Sequence, residues 1–122
     1  MIVLKFDFNR FARIAATVYK DDNPYSLEEC LAVFRLYFQA YEEYVGYPHP
    51  PIRREQIDRI MQVMPAEGYY VSNVQEMMPV DYKYIIPLHF KTRYRRCDYN
   101  INHFFSGKIR ELRLHEAEAG YE

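Results

Sequence analysis

The spacing of apolar residues changes several times along the chain, and each change marks a predicted element. Residues 2–8 alternate apolar and polar, which fits a short strand or an extended lead-in whose aromatic side chains dock on a helix. From Phe8 the apolar spacing becomes three to four residues, which predicts a first helix with Asp7 or Asn9 as its N-cap. The polar residues 21–24 end this helix.

The strongest pattern predicts a central helix over residues 27–45. Ser26 and Glu29 have the spacing of a capping box, and Gly46 is a natural residue for the position after the last turn. The helix carries two apolar seams, so it needs neighbours on two sides. One seam is Leu27, Leu31, Phe34, Phe38, Tyr41 and Val45, and the other is Cys30, Val33, Tyr37, Ala40 and Tyr44.

The middle of the chain is less regular. The proline-rich residues 47–51 predict a stiff connector, and the third helix begins near Ile52 or Arg53 and stops at Pro65. Residues 65–80 are compatible with a short helix or a small hairpin. The predicted inward stripe of the third helix is Ile57, Ile60, Met61 and Met64, and its mixed charged face, Arg53, Arg54, Glu55, Asp58 and Arg59, is read as solvated.

Three further helices are predicted in the last third of the chain. Asp81 is the candidate cap of a helix over residues 82–90, which Pro87 should kink or divide. Asp98 is the candidate cap of the next helix, and a last helix begins near Lys108, before a frayed tail at 116–122. The predicted inward residues of the last two helices are Ile101, Phe104, Phe105, Ile109, Leu112 and His115.

These elements predict a mainly α fold in a single domain over residues 1–122, with about five helices around the 27–45 helix. The length of 122 residues suits one domain. A minor β element is possible near residues 2–7 or 68–74, and a hairpin there would allow a winged-helix variant, which favours nucleic acid.

Charge is distributed unevenly along the chain. The whole chain has a net charge of −1, but residues 83–113 hold eight basic and two acidic side chains, a net charge of +6. The residues before this stretch carry −4 and those after it −3. Most of the positive charge excess therefore lies in one quarter of the chain. A concentration of positive charge at one place favours an anionic partner there.

Residues 91–100 are the sharpest candidate for a binding site. Four of the first six are Lys or Arg, and Tyr94 and Tyr99 are interleaved with them. Guanidinium groups bind phosphate and tyrosine rings stack on unpaired bases, so this stretch favours nucleic acid. A solvated basic loop and the docking of an acidic protein partner are the alternatives. The predicted nucleic-acid contacts are Lys91, Arg93, Tyr94, Arg95, Arg96, Tyr99, Lys108 and Arg110.

The 13 tyrosines offer a second hypothesis. Tyrosine is enriched at protein interfaces because its body is apolar and its hydroxyl is polar. The tyrosines of the second half therefore either pad the core or form a surface for a partner or a homo-oligomer. They are Tyr69, Tyr70, Tyr82, Tyr84 and Tyr94.

Enzymatic chemistry has little support, and we expect no enzyme, cofactor or metal. The residues with ligand chemistry, His89, Cys97, Asp98, His103 and His115, lack the spacing of a zinc site. A nucleophilic pair of Cys97 with His103 lacks an accompanying oxyanion loop.

The expected location is the cytoplasm. No stretch is apolar enough for a signal peptide or a membrane span. The two cysteines, Cys30 and Cys97, are expected to be reduced thiols, with a single bridge over a long loop as the alternative.

Residues 97–110, Cys-Asp-Tyr-Asn-Ile-Asn-His-Phe-Phe-Ser-Gly-Lys-Ile-Arg, resemble a pattern found in a family of small bacterial proteins of uncharacterised function. The resemblance extends towards the connector at 47–51. It implies a small bacterial cytoplasmic protein, with a mobile-element origin as one source, and it implies no activity, cofactor or site residue.

Overall fold

The computed structural model describes residues 4–65, 67–69, 74–91, 98–106, 109, 110 and 113, and the backbone alone of the two strands. This part of the chain is mainly helical, as the sequence predicts. In chain order its elements are α1 (Phe8–Val18), α2 (Leu27–Val45), α3 (Arg54–Val63), β1 (Glu67–Tyr69), β2 (Val74–Glu76), a 3-10 turn (Pro79–Asp81), α4 (Tyr82–Lys91) and α5 (Ile101–Phe104).

The predicted bounds of α2 are confirmed. The Ser26 hydroxyl accepts from the Glu29 amide at 3.1 Å, and the Glu29 carboxylate accepts from the Ser26 amide at 2.8 Å. Gly46 ends the helix with a φ of 94°, a left-handed conformation that glycine adopts without a steric cost. Both seams are buried over most of their length, but Tyr44 on the last turn is 48 % exposed.

The lead-in and α1 cover the Phe34 and Phe38 seam of α2. The Phe6 ring stacks on Phe38 with centroids 4.0 Å apart, and Phe11 of α1 meets Phe34 edge-on at 4.9 Å. Residues 4–7 form no strand and dock their aromatic side chain on a helix, the second of the two predicted arrangements. Asp7 caps α1 by accepting from the Arg10 amide.

One carboxylate fastens the lead-in to α2. The two oxygens of Glu42 accept from the backbone amides of Lys5 and Phe6, at 2.8 and 2.9 Å. These amides have no partner strand, so the charge-assisted bonds replace the ladder that a sheet would supply. Glu42 therefore holds Phe6 in register with Phe38.

α3 and the hairpin follow the stiff connector. The predicted inward stripe is confirmed, since Ile57, Ile60, Met61 and Met64 are all buried. The hairpin pairs β1 and β2 antiparallel, with Gly68 opposite Gln75. Of the two alternatives for residues 65–80, the chain adopts the hairpin.

α4 packs on the other seam of α2, and its N-terminal turn differs from the prediction. Asp81 does not cap α4; its carboxylate accepts from the Met78 amide at 2.8 Å and closes the 3-10 turn before the helix. Pro87 does not divide the helix, which runs from Tyr82 to Lys91. The Tyr37 ring of this seam contacts Phe90 at 5.1 Å, and the Tyr41 ring of the Phe34 and Phe38 seam lies 6.3 Å from it.

The cap of α5 also differs from the prediction. The side chain of Asn100, not that of Asp98, accepts from the Asn102 amide at the start of the helix. Asp98 accepts from the Asn100 amide at 3.0 Å and so orders the turn before the cap. The predicted inward residues Ile101, Phe104 and Phe105 are buried. Beyond α5, residues 109, 110 and 113 are helical; Lys108, Leu112, His115 and the tail lie outside the described residues.

His49 ties the connector to α5. Its side chain is 3 % exposed and lies among the rings of Phe6, Phe38 and Tyr41. The Nε2 atom accepts from the Ile101 amide at 3.0 Å, so Nδ1 carries the proton and donates to the Pro50 carbonyl at 2.7 Å. Burial lowers the pKa of His49, which keeps the ring neutral as this arrangement requires.

Among the described helices, none combines the length and the apolar character needed to cross a lipid bilayer.

The first test concerns the carboxylate that holds the lead-in. We expect Glu42→Ala to lower the free energy of unfolding by about 1–3 kcal/mol, because two backbone amides, the one of Phe6 half-buried and the one of Lys5 exposed, lose a charged acceptor. Urea denaturation followed by circular dichroism measures this. Glu43→Ala is the matched control, since Glu43 is the next residue of α2 and is exposed. Equal stability of the two variants would contradict the role given to Glu42.

Candidate nucleic-acid interface

Three of the eight predicted contact residues lie in the described part of the chain. They are Lys91, Tyr99 and Arg110, while Arg93, Tyr94, Arg95, Arg96 and Lys108 lie outside it. Lys91 is exposed at the C-terminal end of α4. It is therefore the one member of this set, among the described residues, that meets solvent as the prediction requires.

The chain enters and leaves residues 92–97 at one place on the fold. Phe90, two residues before this stretch, and Tyr99, two residues after it, stack with centroids 5.4 Å apart and ring planes 20° apart. Phe90 is also held against Tyr37 and Tyr41 of α2. The two flanks of the arginine-rich stretch are thus fixed to each other and to the core.

Tyr99 has a role different from the predicted one. Its ring is half-buried against Phe90 and meets His89 edge-on at 5.4 Å, so it is packed within the fold and does not serve as an open stacking platform. Its backbone has a φ of 58°, a left-handed conformation that costs a bulky residue free energy. The Tyr37 hydroxyl donates to the Tyr99 carbonyl at 2.7 Å and helps to hold that conformation.

The prediction for Arg110 is wrong. Its side chain is 8 % exposed, and the guanidinium donates to the carbonyls of Val63 and Met64, where α3 ends. A cation at a helix C-terminus offsets the partial negative charge of the last carbonyls. The guanidinium also lies 5.3 Å from the centre of the Phe105 ring. Arg110 thus connects the C-terminal residues to the end of α3, and its guanidinium is not available to bind phosphate.

A hydroxyl completes the surroundings of Arg110. Tyr82 is fully buried; it donates to the Met64 carbonyl at 2.6 Å and lies 3.4 Å from the guanidinium. Burial raises the pKa of Tyr82 to about 12 against the opposing effect of Arg110. Arg113 is also buried, at 5 % exposure. Of the four basic side chains of the +6 stretch that the structure describes, Arg110 and Arg113 are internal, and Lys83 and Lys91 are exposed.

The histidines and cysteines divide between core and surface. His89 is fully buried in α4, and desolvation, with Arg113 and His103 nearby, lowers its pKa to about 4. His103 is exposed on α5. Cys30 is a buried free thiol whose pKa burial raises to about 11, which leaves it protonated and unreactive near neutral pH. Cys97 and His115 lie outside the described residues, so the proposed pair of Cys97 with His103 has no described geometry.

The described residues bring no group of three or more His, Cys, Asp or Glu side chains together in a way that could hold a metal ion.

Two tyrosines that contact Phe90 and Tyr41 are exposed, which the sequence pattern does not predict. Tyr44 stacks on Phe90 with centroids 5.8 Å apart, and Tyr47, 58 % exposed, meets Tyr41 edge-on at 6.0 Å. The sequence pattern places Tyr44 in an apolar seam of α2 and Tyr47 in the proline-rich connector. The sequence signal for the exposure of Tyr44 is its position two residues before Gly46, because side chains in the last turn of a helix have fewer neighbours to pack against.

Of the five tyrosines of the second half, the structure describes the side chains of two. Tyr84 is 65 % exposed on α4, whereas Tyr82 is buried. Tyr70 and Tyr94 lie outside the described residues, as does the side chain of Tyr69.

No protein-family model, curated protein or solved structure matches this chain. The resemblance of residues 97–110 to a family of small bacterial proteins therefore stays a prediction.

The second test separates the internal arginine from the surface ones. We expect Arg110→Met to lower the free energy of unfolding by about 2–4 kcal/mol, because the Val63 carbonyl loses its charged donor and the Met64 carbonyl keeps only the Tyr82 hydroxyl, while the volume of the side chain is kept. Chemical denaturation in urea measures the loss. Arg53→Met, at an exposed arginine, is the control and should change stability little. A stable Arg110→Met protein would argue that the guanidinium faces solvent.

Proposed function

We propose that the protein is a small, non-enzymatic binding module that contacts the phosphates of nucleic acid through residues 91–96. The contact set narrows to Lys91, Arg93, Tyr94, Arg95 and Arg96, with Lys108 retained from the sequence prediction. Arg110 leaves the set because its guanidinium is buried against α3, and Tyr99 because its half-buried ring packs against Phe90 and His89. The proposal includes a cytoplasmic location, which the free thiol of Cys30 supports.

The observation that carries the proposal is the contact between the flanks of this stretch. The Phe90 and Tyr99 rings are 5.4 Å apart, so the described residues on either side of this sequence, which has four cationic side chains in six residues, lie close together. A chain fixed at both ends has fewer arrangements than a free tail, so less entropy is lost when it binds. Concentrated guanidinium groups also release several counterions from one length of phosphate backbone.

A winged-helix arrangement, in which α3 would read a groove beside the hairpin, is less well supported. The hairpin that this variant requires is present after α3. However, Arg59 donates to the carbonyls of Asn102 and Phe105, and Arg54 donates to the Thr17 hydroxyl. These arginines serve contacts within the fold, which favours residues 91–96 as the phosphate-binding element.

The third test measures binding directly. Fluorescence anisotropy with random-sequence single- and double-stranded DNA and RNA should give an affinity that falls steeply between about 50 and 200 mM salt. We expect Arg93→Ala/Arg95→Ala/Arg96→Ala to weaken binding and to reduce the slope of log K against log salt by about 2, since each lost phosphate contact on a single strand removes about 0.7.

The matched control removes the same charge elsewhere. Arg10→Ala/Arg13→Ala/Arg53→Ala takes three exposed arginines from α1 and from the start of α3. If both triple variants lose binding equally, the attraction is general and the site is not at 91–96. Absence of binding by the natural protein at low salt would overturn the proposal.

A second candidate function is self-association through an apolar patch. Met78, Val80 and Tyr84 are 56 %, 50 % and 65 % exposed within seven residues at the start of α4. Exposed apolar side chains grouped in this way mark interaction surfaces, and a second copy of the chain offers the same patch in a two-fold arrangement. Three side chains are too few for an obligate interface, so such a dimer would dissociate on dilution.

The fourth test follows the mass in solution. Light scattering over a roughly hundredfold range of concentration should show a monomer–dimer equilibrium that Val80→Ser/Tyr84→Ser abolishes. Tyr47→Ser, at an exposed tyrosine outside the patch, should leave the equilibrium unchanged. A mass that stays monomeric at every concentration would rule out self-association.

A further inference from the structure

Three aromatic rings form a stack where α2 and α4 end. Phe90 stacks with both Tyr44 and Tyr99, with centroids 5.8 and 5.4 Å away and ring planes 18° and 20° from parallel. Phe90 is 6 % exposed and Tyr99 is half-buried, but Tyr44 is 48 % exposed. Phe90 covers the inner face of Tyr44, so the stack ends in solvent at the outer face of that ring.

We infer that Tyr44 stacks on an unpaired base, which makes single-stranded nucleic acid the ligand of the proposed binding module. This inference rests on the proposed function. A base is a flat ring that can extend the stack by one member with the same offset geometry. The Tyr44 ring is already held by Phe90, so it loses little rotational freedom when a base covers it.

The choice of a single strand follows from the geometry of stacking. In a duplex both faces of a base are covered by its neighbours, whereas an unpaired base can present a face to a protein ring. Tyr47 adds a second exposed ring. It is linked to Tyr44 through the core, because Tyr41 contacts both Tyr47 and Phe90. Two exposed rings that rest on the same packed aromatic side chains form a platform on which successive nucleobases can stack.

The cationic sequence that follows Phe90 favours nucleic acid over an apolar protein partner, because Lys91 and three arginines occur in the next six residues. Lys91 follows Phe90 directly and is exposed, so a cation stands at the end of α4 beside the stack. The exposed carboxylates of Glu43 and Asp98 also lie next to stack residues in the chain. Phosphate contact therefore belongs to the basic residues, and the contribution of Tyr44 is stacking, which depends little on salt.

The fifth test uses fluorescein-labelled single-stranded DNA of about 20 nucleotides and the matching duplex. We expect Tyr44→Leu to weaken single-strand binding roughly 5- to 100-fold, because one base loses its aromatic partner. The factor should be the same at about 50 and 200 mM salt, with an unchanged salt slope, and duplex binding should change less than about twofold. Tyr44→Phe keeps the ring and should restore the affinity.

Tyr44→Phe is the matched control, because it keeps the ring at the same exposed position and removes only the hydroxyl. A second measurement needs no variant: single-stranded DNA carrying 2-aminopurine should lose fluorescence on binding the natural protein, as a base does when it stacks on a ring. If the natural protein binds no nucleic acid, the proposed function fails. If it binds but 2-aminopurine is not quenched, or Tyr44→Leu binds as tightly as the natural protein, the stacking inference alone is overturned.

Discussion

The fold depends on the need to cover α2 on two sides. A helix with apolar side chains on two faces is stable only between neighbours, and aromatic rings make up nearly half of the two seams. The lead-in and α1 cover the side of Phe38, while α4 covers the side of Tyr37. The tyrosines of this core also need acceptors for their hydroxyls. Those of Tyr19, Tyr25, Tyr37 and Tyr82 each donate to a backbone carbonyl, namely those of Tyr25, Met77, Tyr99 and Met64.

The features predicted correctly are those set by neighbouring residues. The capping box at Ser26, the left-handed Gly46 and the spacing of the α2 seams all act within a few residues of chain. The wrong assignments involve competition between nearby polar groups. Asp81 and Asp98 both have carboxylates suited to capping, but each accepts from an amide in a turn, and Asn100 caps α5 instead. Sequence alone does not rank such competing acceptors.

The basic stretch shows why a count of charges does not locate a site. Arg110 finds its acceptors at Val63 and Met64, 46 or 47 residues earlier in the chain, and no local pattern indicates that contact. A guanidinium can enter the core because the carbonyls at the end of α3 and the face of Phe105 replace part of its hydration. The positive excess of residues 83–113 is therefore partly a property of the core and partly one of the surface.

The candidate site and the core share the same residues, and this limits how the site can be changed. Phe90 stacks with both Tyr44 and Tyr99, while Tyr37 contacts Phe90 and donates to the Tyr99 carbonyl. A substitution at Phe90 or Tyr37 would disturb packing and site together, so a loss of binding there would not identify a contact. Tyr44 differs because its outer face lies in solvent, and its contribution to a ligand can be separated from its contribution to the fold.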